Sequence, residues 1–242
     1  MRWRAALVWV GTAGVLTSLL SANGAAAEVI STPPGQVATV QASLAMDNDW
    51  QFVDSECLII PVVMTYGRAD ETSIIGETQV TKVGTESTAN DGTFLVLPGD
   101  PVSGRILDDV FVCPADGTGQ FSLNTIVRAI DPASESFFAL DPLTFWVAPA
   151  ISKMSRLQAR HTKGGVRISG EVAAGRGAAT GIVELRFREP GQRRWSTPEP
   201  VPVDGGRFAA TIDKSVSPGT RVKATLTRCS WCTRVSARTV VR

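Results

Sequence analysis

Apolar residues along this chain recur at every second position in short runs, and the runs are cut by Gly, Pro, Asp and Asn. That period puts one set of side chains on a buried face and the other in solvent, as in a half-buried β-strand. Before residue 150 the strand candidates are "VATVQASLAM" (37–46), "CLIIPVVMTY" (57–66), "GETQVTKVG" (76–84), "GTFLVL" (92–97), "DVFVC" (109–113), "FSLNTIVRAI" (121–130) and "LTFWVA" (143–148). After it the alternation is cleaner, in "GVRISGEV" (165–172), "GIVELRFRE" (181–189), "GRFAATI" (206–212), "RVKATLTRC" (221–229) and "CTRVSARTVV" (232–241). No window of helical length carries an apolar stripe at the 3.6-residue period. Pro61, inside the second candidate, predicts an edge or a bulge there, because it cannot donate to a ladder. Strand number and spacing predict an all-β chain of two β-sandwiches that meet near residues 148–150.

The first 27 residues break this pattern. Arg2 and Arg4 precede an apolar run over 5–20, and Ala25-Ala26-Ala27 offers a small-residue cleavage site, the composition of an export signal. The run is shorter than the roughly 20 apolar residues a spanning helix needs. A mature chain beginning at Glu28 is expected to be secreted, and with no lipid-bearing cysteine in the leader or hydrophobic tail, any retention at a surface would be non-covalent.

Charge divides the remainder. Residues 28–149 hold 17 acidic side chains against four basic ones, whereas residues 150–242 hold 18 basic against six acidic. The formal net charge of +1 therefore hides two halves of opposite sign. The expected domains are an acidic sandwich over 28–149 and a basic one over 150–242.

The stretches "CLIIPVVMTYGR" and "VFVCPADGTGQFSLNTIVRA" in the first half, with "VRISGEV", "GIVELRFRE", "RRWS" and "DGGRFAATI" in the second, resemble exported proteins of high-GC Gram-positive bacteria. Those proteins are built from immunoglobulin-like and fibronectin-III-like sandwiches. The resemblance implies that fold and an extracytoplasmic address, and it carries over no catalytic residue. One departure is plain: immunoglobulin domains place a Trp between their cysteines, and none lies between Cys57 and Cys113.

Four cysteines in an exported chain suggest two disulfides, and sequence alone allows three pairings. The domain split favours Cys57 with Cys113 and Cys229 with Cys232. The second pair could instead be a redox centre or half a zinc site. Redox chemistry needs a helix start and a βαβ setting, while the residues after Cys232 alternate like a strand. Zinc needs further ligands, and the chain has one histidine, His161. If Ser230-Trp231 is a two-residue turn, Cys229 faces Cys232, Leu226 faces Val235, Ala224 faces Ala237 and Val222 faces Thr239, so apolar positions meet at period two.

Catalytic chemistry finds little support. His161 sits in a turn approach with no nucleophile motif near it, and the acidic half holds so many carboxylates that no glycosidase-like pair stands out. Asp47, Asp49, Asp54 and Glu56 form a weak candidate calcium loop that lacks the spacing of a helix-loop-helix site. No cofactor is expected. The basic half says more: the hairpin register sets Lys223 opposite Arg238 on the outward face with Arg221 and Arg234, and "GIVELRFRE" adds Arg186 and Arg188 if it neighbours the last two strands. Like charges directly opposite destabilise a ladder. Trp195 and Trp231 are candidate aromatic contacts for sugar or protein. The expected function is a non-catalytic binding or adhesion module at the cell envelope, whose basic sheet captures an anionic polymer or an acidic protein surface, including the acidic domain of another copy. Nucleic acid would suit the charge, but stacking aromatics in a recognition motif are lacking. The alternatives are a carboxylate-dependent secreted hydrolase and a self-assembling structural protein.

Overall fold

The computed structural model describes residues 28–242 apart from Ala38, 86–87 and 213–215; the expected export signal at 1–27 lies outside the described residues. Ten strands precede residue 149: β1 (Val29–Ser31), β2 (Gly35–Val37), β3 (Val40–Asp47), β4 (Asp49–Gln51), β5 (Leu58–Arg68), β6 (Ser73–Lys82), β7 (Thr88–Val96), β8 (Ser103–Val112), β9 (Gly119–Asp131) and β10 (Ser134–Ala148). Eight follow: β11 (Ser152–Thr162), β12 (Gly165–Ala174), β13 (Gly177–Ala178), β14 (Gly181–Arg188), β15 (Glu199–Val203), β16 (Arg207–Ile212), β17 (Arg221–Thr227) and β18 (Ser236–Val240). The described residues contain no helix.

In the N-terminal half one sheet runs β1-β3-β5-β8 with β2 also on β3, and the other runs β4-β10-β9-β6-β7. The alternating residues Ile60, Val62 and Met64 of β5 and Phe121, Leu123 and Val127 of β9 are fully buried. The two inner faces meet: a Cβ placed on Gly76 of β6 would lie 3.4 Å from both Met64 of β5 and Phe94 of β7. β5 is interior to its sheet, but its ladder with β3 stops at Ala45 opposite Val63. Pro61 lies beyond that stop, beside Asp109 of β8 alone. A residue without an N–H is tolerated where its strand has a neighbour on one side only.

The C-terminal half pairs a sheet of β11-β12 with β16 and the short β13 on β12 against a sheet in the order β15-β14-β17-β18. Val183, Leu185 and Phe187 of β14 and Val222, Ala224 and Leu226 of β17 point into its core. Two of its strands were hidden from the alternation rule for identifiable reasons. β11 carries a register shift between Ser155 and Gln158, with Arg156 at φ 51°, which breaks the period of two. β15 contains Pro200 and Pro202 and is an edge strand, the place where prolines fit.

Cys57 and Cys113 are bonded, 1.95 Å between sulfurs, just past the pair Leu58 and Val112 that ends the β5-β8 ladder. The bond therefore ties neighbouring strands of one sheet, where an immunoglobulin disulfide spans two sheets, and no core Trp is needed to pack against it.

The two halves meet along a close seam. The Phe52 and Trp231 rings contact edge to face, with centroids 6.4 Å apart, and both residues are about 1 % exposed. The Arg176 amide donates to the Val53 carbonyl. Backbones approach so closely here that a Cβ on Gly175, whose φ is 54°, would fall 2.2 Å from the Val53 oxygen. Glycine alone satisfies both the left-handed conformation and the contact.

Candidate functional site

The Cys229–Cys232 bond, 2.01 Å between sulfurs, closes the loop before the last strand. The ribbon beneath it has the expected register, with Val222 opposite Thr239, Lys223 opposite Arg238 and Ala224 opposite Ala237. The expected two-residue turn is corrected: the β17-β18 ladder ends at Thr225 opposite Ser236, the Leu226 amide adds one bond to the Val235 carbonyl, and residues 228–235 lie outside the strands as a wider loop. The cause is the seam. Ala150 donates to the Trp231 carbonyl at 2.9 Å, the Thr233 amide returns a bond to Ala150 at 2.8 Å, and Trp231 Nε1 donates to Thr180 Oγ1 at 3.1 Å. Trp231 is thus drawn out of the ribbon and into the core. Its expected role as an exposed aromatic contact is overturned by that burial.

The outer face of the β15-β14-β17-β18 sheet is built differently. Because Val183, Leu185 and Phe187 point inward, Arg186 and Arg188 must point outward, and the ladder aligns them with cations on the next strands. Arg186 is the partner of Lys223, and Lys223 is the partner of Arg238. One row further along, Arg188 is the partner of Arg221. With strands about 4.8 Å apart, three positive charges stand in a line across roughly 10 Å. An ion pair on this face joins Glu184 to Arg186, 3.9 Å long and half-exposed, which compensates little. Arg234 is exposed but lies in the loop before β18, outside the ladder.

Trp195, from the segment joining β14 to β15, leans over the same face. The Arg188 guanidinium carbon is 4.8 Å from its ring centroid and that of Arg238 is 5.9 Å away. The half-buried indole therefore holds two long, otherwise mobile cations in place. No signal in the alternation pointed to this stacking, since it depends on which strands are neighbours.

The remaining sequence candidates do not assemble. Asp47 ends β3, Asp49 begins β4, and Asp54 Oδ1 accepts from the Glu56 amide at 2.9 Å in the following loop. Among the described residues no three His, Cys, Asp or Glu side chains cluster as metal ligands, so the weak calcium candidates are corrected on geometry. Partial burial pushes the Asp47 carboxyl above its ordinary pKa. His161 is exposed near the end of β11, opposite Val166.

In the acidic half, three of the four cations are committed locally. Arg68 is buried and donates to the carbonyls of Ala69, Thr72 and Leu97 at 3.0–3.1 Å. Lys82 donates to the Asp116 carbonyl at 2.8 Å, and Arg128 pairs with Glu135 at 3.2 Å. The negative field of that half is left largely unscreened by its own side chains.

No family model matches the chain, and no curated protein matches it. Among solved structures, the chain is similar to that titled "Crystal structure of chicken CNTN1 FN1-FN3 domains", at 9% identity and a TM-score of 0.27, covering 84% of this chain and 78% of that one.

Proposed function

We propose that the protein is a secreted, two-domain, non-catalytic binding module that acts at or outside the cell envelope. Its basic C-terminal sheet captures an anionic polymer or acidic surface by electrostatics. The observation that carries this reading is the aligned row Arg186, Lys223 and Arg238, backed by Arg188 and Arg221, on one solvent-facing sheet. A fold gains nothing from placing like charges opposite each other, and each such pair costs about 0.2–1 kcal/mol in a ladder. An external anion recovers that cost. The domain limits that accompany the reading are 28–149 and 150–242, after a leader over 1–27. The lack of a nucleophile motif around His161 in the sequence supports binding over catalysis.

Co-sedimentation with anionic vesicles and with isolated cell walls across a salt series tests the reading. Retention should fall steeply between low and physiological ionic strength, where the screening length shrinks from about 30 Å to about 8 Å. Binding indifferent to salt, or unchanged in a variant with Arg186, Lys223 and Arg238 all replaced by Gln, would overturn it.

A further inference from the structure

One end of the cationic face opens into a cleft of about 520 Å³ lined by Arg188, Arg193 and Arg221, together with Glu189, Gln192 and Gly219. The local chain builds it. Arg188 and Arg221 are cross-strand partners, so their side chains leave the sheet together. The turn after β14, closed by the Gln192 amide on the Glu189 carbonyl at 3.1 Å, carries Arg193 round to the same cleft. The opposite wall is the turn before β17, where the Thr220 amide donates to Ser217 and the Gly219 amide to Val241, both at 3.1 Å. The two turns touch, since a Cβ on Gly219 would lie 3.6 Å from Pro190.

The charges in this cleft are not self-satisfied. Glu189 Oε2 accepts from Gln192 Nε2 at 3.1 Å, and among the described residues no ion pair joins it to an arginine. Three guanidiniums and one carboxylate leave a formal excess of two positive charges. Each guanidinium offers a planar fork of donors suited to two oxygens of an anion. A carboxylate has two oxygens and one charge, and a phosphodiester has two free oxygens and one charge. A phosphomonoester brings three terminal oxygens and a charge of about −1.5 to −2 near neutral pH. It matches both the number of forks and the charge excess.

We propose that this cleft binds a phosphomonoester group and so anchors the anion captured by the sheet. The proposal rests on the electrostatic reading above and narrows it to one chemical class, adding Arg193 to the site. Methyl phosphate, dimethyl phosphate and acetate at matched ionic strength and slightly alkaline pH provide the test, followed by chemical-shift changes at the arginine Nε–H groups and by thermal shift. Methyl phosphate should bind about tenfold more tightly than either of the others, the margin of one additional charge-assisted hydrogen bond. Arg193→Gln, at an exposed turn position, should erase that preference, whereas Lys153→Gln, exposed on β11 in the opposite sheet, should retain it. Equal affinity for methyl phosphate and dimethyl phosphate, or a preference that survives Arg193→Gln, overturns the assignment. Salt-sensitive capture on vesicles with no phosphate preference would sink the cleft alone; loss of salt sensitivity with phosphate binding intact would sink the wider reading and leave the cleft standing.

Discussion

Gly175 shows how a single position can hold two halves of a chain together. Its φ of 54° lies where an L side chain costs energy, and the Val53 oxygen occupies the space a methyl would need. Gly175→Ala should therefore destabilise the folded protein by about 2 kcal/mol or more, from backbone strain before any clash is counted. Urea unfolding read through tryptophan fluorescence measures this, and an unchanged midpoint would mean that the seam yields freely. Nothing in the sequence flagged that glycine as special, because the oxygen it meets comes from the other half of the chain. Trp231 was misread for the same reason: its neighbours in sequence suggest an exposed turn, and its cover, Phe52, is distant in sequence.

At the scale of elements, the strands that carry the candidate site were the legible ones. β14, β17 and β18 alternate strictly, so their inward and outward sets and even the partner of Lys223 follow from period two and one assumed register. β11 and β15 were not legible, because a bulge erases the period in one and prolines in the other obscure it. The stacking of Arg188 and Arg238 on Trp195 and the cleft around Arg193 depend on loops, whose paths the pattern does not encode. The legible part makes its own prediction. If the row Arg186, Lys223 and Arg238 is strained by repulsion, then Lys223→Gln should raise stability by about 0.5 kcal/mol at low ionic strength. The gain should shrink in high salt as the repulsion is screened. Chemical denaturation at two salt concentrations decides this, and a gain independent of salt would assign the effect to packing.

For the whole molecule, the sheets change between β10 and β11, and the hydrophobic core is continuous across that change through Phe52, Ala150 and Trp231. Charge asymmetry revealed two halves and could not reveal that they are joined. The Cys229–Cys232 bond braces the loop that inserts Trp231 into the seam. Replacing both cysteines with Ser should loosen the relation between the halves while leaving each sheet pair folded. Small-angle scattering should then show a broader distribution of end-to-end distances with little loss of β circular dichroism; an unchanged profile would show that main-chain bonds at Ala150 suffice. Val53 and Asp54 are pressed against Gly175 and Gly177, so the two halves of the chain are in direct contact. A surface that holds the positively charged half should therefore also orient the negatively charged half upon it.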